Sequence, residues 1–166
     1  MIYIKTINIT EIDNQLIEKA IRSFSLKRTG LLDLKQSSSY ISEENKYFLG
    51  TETEKYINLT RLRTPFENLI PKLILRFDKK DFRVYQIRFS FPSNLMYLTL
   101  IIAVVLNLIK LVASGELGSN IGFIIIISII FTLLTLLEIK ITMQKVKKAI
   151  DRTMNSMSKS NEIKSN

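Results

Sequence analysis

One feature constrains this chain more than any other. Between residues 95 and 137 it carries only one of its 24 basic residues, Lys110, and one of its 15 acidic residues, Glu116. Two apolar runs fill that stretch, LMYLTLIIAVVLNLIKLVA and IGFIIIISIIFTLLTLL, separated by SGELGSN. Each run is close to the ~20 apolar residues that cross a bilayer as a helix. Both are apolar on every face, whereas a helix of a soluble core keeps one polar face. The expectation is a helical hairpin with spans at 95–113 and 121–139, joined by an outer loop at 114–120.

Charge orients the hairpin. Basic residues flank it before the first span (Lys72, Arg76, Lys79, Lys80, Arg83, Arg88) and after the second (Lys140, Lys145, Lys147, Lys148, Arg152), while the connecting loop holds only Glu116. The positive-inside rule then places both termini in the cytoplasm and the loop outside. Lys110 sits near the outer end of its helix, where its ammonium can reach the interface by snorkelling.

The chain has no His, Cys or Trp. The imidazole and thiolate chemistries are therefore absent: no Cys nucleophile, no Ser-His triad, no ordinary zinc site and no disulfide. Nor does any carboxylate constellation or Gly-rich phosphate loop stand out. The expectation is a protein that is not an enzyme and holds neither metal nor cofactor.

Residues 1–92 read as an α+β domain. Ile2, Ile4, Ile7 and Ile9 alternate with polar residues as in a strand. Thr10 is a candidate N-cap for a helix whose apolar face is Ile12, Leu16, Ile17, Ala20, Ile21 and Phe24. A turn or left-handed residue falls at Gly30, and a polar loop covers 35–54, with a short strand near 47–49. Alternation returns in YINLTRLR, with Ile57, Leu59, Arg61 and Arg63 on one side. KLILRF and FRVYQIRFSF flank a turn at 78–81, giving roughly four or five strands in all. The tail, 140–166, reads as a basic amphipathic helix. Its stripe of Ile139, Met143, Val146, Ile150, Met154 and Met157 suits either the inner membrane surface or a bundle of tails. The fold class expected is an α+β cytosolic domain, a two-span transmembrane hairpin at 93–139 and a C-terminal amphipathic helix.

Two residue sets are candidates for function. Arg61, Arg63, Lys72, Arg76 and Arg88 lie on the β-strands among aromatics, and guanidinium groups suit phosphates while rings suit bases. Within the spans, Ser128, Thr132 and Thr135 share a helix face, as do Thr99, Ala103, Asn107 and Lys110. Such stripes either pack helices together or line a wet path, which two helices can enclose only in a homo-oligomer.

A small soluble domain fused to two short spans resembles the two-transmembrane effectors of bacterial anti-phage signalling systems. The resemblance is one of layout along the whole chain; TRLRTPFENLIPKLILRF, the most distinctive stretch, matches no family signature, and no residue role is carried over. It implies an oligomeric inner-membrane effector or channel, gated by a nucleotide or oligonucleotide on the cytosolic domain and paired with a signal-producing enzyme. The alternative is a non-conducting membrane anchor whose domain recruits a protein partner. The Ile-, Lys- and Asn-rich composition fits a bacterial source.

Overall fold

A computed structural model describes residues 3–27, 30, 32–33, 45–64, 67, 69–115, 118 and 120–164, with side chains as far as 159. Half of the expected polar loop, 35–44, and Glu116 lie outside the described residues. The elements run β1 (Tyr3–Asn8), α1 (Asn14–Ser23), β2 (Ser25–Lys27), β3 (Phe48–Glu52), β4 (Tyr56–Arg61), β5 (Leu73–Asp78), β6 (Val84–Phe89), α2 (Phe91–Ser114) and α3 (Ile121–Lys164). The fold is α+β: a six-stranded mixed sheet and three helices, two of them long and apolar.

The sheet order is β1-β6-β5-β4-β3-β2, with every pairing antiparallel except β2 on β3. The turn at 78–81 forms as the sequence predicts, with the Asp81 amide on the Asp78 carbonyl and the Lys80 amide on the Asp78 carboxylate. Helix α1 starts later than Thr10. The Ile9 amide still bonds the Arg83 carbonyl, holding the chain to the sheet, and Asp13 becomes the N-cap by accepting from the Gln15 amide. Ile17, Ala20 and Ile21 of α1 are fully buried. They meet Phe48, Ile57, Leu59, Leu75, Phe77, Tyr85 and Ile87 in one core between sheet and helices.

Helix α2 begins at once after β6. Ser90 is its N-cap, and Pro92 occupies the first turn, where its missing N–H costs no hydrogen bond. It ends at Gly115, whose φ of 72° lets its amide turn back to the Leu111 carbonyl. Both α2 and the first part of α3 are long and apolar enough to cross a membrane. Their large side chains are exposed along the hairpin, Leu106 at 60% and Ile126 at 57% among them. At its base, the rings of Phe89, Tyr97 and Phe131 meet at centroid distances of 5.6–6.4 Å and join sheet, α2 and α3.

The largest departure from the sequence reading concerns the tail. No boundary falls between 139 and 140: α3 is one helix of 44 residues, about 66 Å long at ~1.5 Å per residue. No Gly or Pro interrupts it after Gly122. Part of the tail stripe is covered within the chain, while Met154 is 43% exposed. Ile139, Val146 and Ile150 pack with Ala149 into the chain's own core beside α1 and the sheet.

Candidate functional site

The described residues concentrate their buried charge at the end of the sheet from which the hairpin leaves. Arg61 and Arg63 lie on the same side of the sheet as Ile57 and Leu59, as alternation predicts. That side is covered by helices, so both guanidinium groups are buried, with side chains 4% and 2% exposed. Their partner is Glu138 of α3, the first acidic residue after the apolar run and itself 1% exposed. Arg61 donates from Nε and Nη2 to the two Glu138 carboxylate oxygens at 3.3 and 2.9 Å. Arg63 donates from Nη2 to Glu138 Oε1 at 2.9 Å.

Further donors are used on the loop after β4. Arg61 Nη1 donates to Glu67 Oε1 at 2.8 Å. Arg63 donates to the carbonyls of Ile70 and Pro71, each at 2.7 Å. Two guanidinium groups thus face two carboxylates, and the cluster is formally neutral. Burial pulls the Arg61 guanidinium down, but its bonds to Glu138 and Glu67 outweigh this and hold it up. Burial lowers Arg63, with Glu138 opposing. Both remain charged, because a guanidinium does not lose its proton in a protein. Removing one partner from such a cluster strands a buried charge, at a cost of about 3–5 kcal/mol.

The outer side of the sheet carries a matching fastening. Arg88 grips Asp33 with two parallel bonds of 2.9 and 3.0 Å, and Asp33 also accepts from the amide of Phe91, the first residue of α2. The Arg88 hydrogen bond holds the Asp33 carboxyl below the usual range. Lys72 sits between them: its amide donates to Ser93 Oγ at 2.9 Å, and its ammonium to the Leu32 carbonyl. Burial lowers the Lys72 ammonium to about 8. One arginine pair therefore fastens α3, and another arginine fastens the start of α2.

The five residues expected to form one anion surface are divided by this geometry. Arg61 and Arg63 face the helices and are engaged with Glu138; that pair is corrected from surface to interior. Lys72 and Arg88 face the other way and are engaged with Leu32 and Asp33. Arg76 lines an open cavity, of about 440 Å³, with Tyr3, Tyr56, Asp78, Asp81, Val84 and Gln86. Its guanidinium lies 3.4 Å from the Tyr56 ring centroid and bonds the Tyr3 hydroxyl. Asp78 and Asp81 share that cavity, so its field is not simply cationic. A larger apolar groove, about 550 Å³, runs along α3 between Leu136 and Asp151, with Ile9 and Ile12 on its far wall.

The polar residues of the hairpin satisfy themselves. Thr99, Asn107, Ser128, Thr132 and Thr135 each donate to the carbonyl four residues back on their own helix, at 2.8–3.0 Å. Ser128 and Thr132 line a cleft of about 210 Å³ between α2 and α3 with Tyr97, Leu100 and Phe131. Thr135 is buried, Asn107 is half-buried near Gly118, and Thr99 and Lys110 face outward. The six do not converge on one surface of a single chain.

Sequence reasoning missed Glu138, Glu67 and Asp33. For Glu138 the signal was partial: two arginines sharing a strand face with Ile57 and Leu59 need buried acceptors once that face is covered, but nothing nearby in the chain names which carboxylate supplies them. Among the described residues no group of three or more His, Cys, Asp or Glu could hold a metal ion. No family model matches the chain, and neither a curated protein nor a solved structure is similar to it.

Proposed function

We propose that this chain is a membrane-anchored scaffold. Its hairpin crosses the inner membrane with both termini in the cytoplasm, and its α+β domain is held in one orientation for a cytosolic protein partner. The carrying observation is the buried cluster of Arg61, Arg63 and Glu138, which ties the sheet to the continuous helix α3 just below the apolar segment. The bonds from Arg88 through Asp33 to the start of α2 support the same reading. A tether that only localises a domain can be a flexible linker; here each helix leaves the domain through charge-assisted bonds. The Arg76 cavity and the groove along α3 are open surfaces for a partner.

A second reading is favoured by the continuity of α3 itself. In it the chain is an oligomeric effector, and a ligand at Arg76 moves the sheet and hence the second span directly. That needs a ligand with different affinity for two states. One assay separates the readings. Full-length protein in vesicles holding a potassium diffusion potential should leave a potential-sensitive dye unchanged, alone and with nucleotides or short oligonucleotides. Dissipation of the potential, abolished by Arg76→Ala, would remove the scaffold reading and establish the effector.

A further inference from the structure

Outside α2 and α3, the exposed large apolar side chains among the described residues are Tyr3 at 39% and Leu69 at 88%. Leu69 is as exposed as Val112 on the hairpin. Tyr3 has a polar hydroxyl that bonds Arg76; Leu69 has nothing polar to offer water. A single exposed leucine needs no explanation on an arbitrary surface, but the position of this one is determined by its neighbours.

The described residues on either side of Leu69 are held by hydrogen bonds. Glu67 accepts from the amide and hydroxyl of Thr64 at 2.8 and 3.1 Å, and the Ile70 amide bonds the Glu67 carbonyl at 3.1 Å. Arg63 then holds the Ile70 and Pro71 carbonyls with the same guanidinium that binds Glu138. The residue after Pro71, Lys72, bonds Ser93 in the first turn of α2. The loop is thus pinned to both helices where each enters its apolar stretch. Exposed apolar side chains continue from there along both helices: Phe91 at 58%, Leu95 at 55%, Leu136 at 58% and Leu137 at 45%. Lys140, two residues beyond Glu138, is exposed, and anionic headgroups attract such a cation.

We propose that Leu69 inserts into the cytoplasmic leaflet at the level of the upper acyl chains, making this residue a third membrane contact beside the two spans. This rests on the reading that α2 and α3 cross the bilayer, and the experiment separates the two. The contact would stop the domain from tilting about the hairpin, which a scaffold of fixed orientation requires.

The absence of Trp makes the test direct. Three full-length variants, each with one tryptophan, are reconstituted into vesicles whose acyl chains carry bromine either near the carboxyl end or near the middle. Leu106→Trp reports the span, Leu69→Trp the loop, and Lys55→Trp the turn between β3 and β4 at the far end of the sheet. The expected result is strong quenching of Leu106→Trp, and blue-shifted emission of Leu69→Trp quenched at least twofold more by the shallow bromines than by the deep ones. Lys55→Trp should emit as in water and stay unquenched. If Leu106→Trp is quenched while Leu69→Trp emits as in water, the third contact does not exist and the spans stand. A blue-shifted but unquenched Leu69→Trp also overturns the proposal, because protein rather than lipid then covers the loop. If Leu106→Trp itself is unquenched, the hairpin does not cross the bilayer, and the proposal falls with it.

Discussion

Helix α3 shows two regions of one continuous element solving two different problems. Above Glu138, side chains such as Phe123, Ile126 and Leu133 are 57–68% exposed. Below it, Val146, Ala149 and Ile150 are at most 3% exposed, while Lys147 and Lys148 face solvent. The upper part is apolar all round, as a helix in lipid can be; the lower part has one apolar stripe, as a helix on a sheet must. The backbone is the same throughout, and what changes is the solvent that each face meets. Glu138 stands at the joint, a charge buried where the apolar segment ends and made tolerable by two arginines from β4 and the residues after it.

The sharpest way to break that joint is Glu138→Ala. It strands two buried guanidinium groups, and the expected loss is about 3–5 kcal/mol of domain stability. Thermal denaturation in nanodiscs would measure it, with Ser128→Ala in the upper half as the comparison. Ser128 bonds only its own helix, so its removal should leave the transition nearly unmoved. Equal effects would mean that the joint is no more than another part of the hairpin.

A pair of methylene deletions sharpens the contrast. Ile150→Ala empties space in the closed core and should cost about 2–5 kcal/mol. Ile126→Ala shortens an exposed side chain of the apolar segment and should stay within about 0.5 kcal/mol, as for surface substitutions. If denaturation ranks them the other way, the lower half of α3 is not the half that packs.

Titration reaches the other fastening. The Lys72 ammonium lies near 8 in the folded chain because of burial, and near ~10.4 when unfolded. Between those values the unfolded chain binds more protons, so stability should rise with pH across that window. Below about 8 both states carry the charge and the folded state bears the burial penalty in full. Lys72→Gln should flatten the rise between pH 8 and 10, as read from melts at stepped pH. Lys145, also lowered by burial, would add a slope in the same sense. A Lys72→Gln variant with the parent's slope would exclude this ammonium as its source.

The smallest effect is expected at the open cavity. Arg76 stacks on Tyr56 in a half-exposed setting, where a cation–π contact contributes about 0.5–1 kcal/mol. Arg76→Ala should therefore change stability by no more than that. A loss as large as that of Glu138→Ala would make Arg76 structural and remove it as a candidate for binding.

How much was legible beforehand varies with the range of the cause. The two long apolar helices were read from composition over about twenty residues, the strands from alternation over six, and α1 from its periodicity; each property resides in a short segment. The turn at 78–81 and the end of α2 at Gly115 are local too. The start of α1 was not, because the bond from Ile9 to the Arg83 carbonyl lies across the sheet. The candidate site was the least legible part. The sequence placed Arg61 and Arg63 correctly with Ile57 and Leu59, but whether that side faced water depended on what lay over it.

By itself, then, the sequence determined the elements and the apolar hairpin, because backbone propensity and the avoidance of water by apolar runs act over a few residues. Only the tertiary structure decided the fate of the charges and of the tail. Arg61 meets Glu138 across 77 positions of chain, and no local pattern specifies a partner so distant. The stripe at Ile139, Val146 and Ile150 would suit a membrane surface, a bundle or a sheet equally well. It packs inside because α3 continues without a break from the apolar segment and carries that stripe against α1 and into the core shared with the apolar side of the sheet.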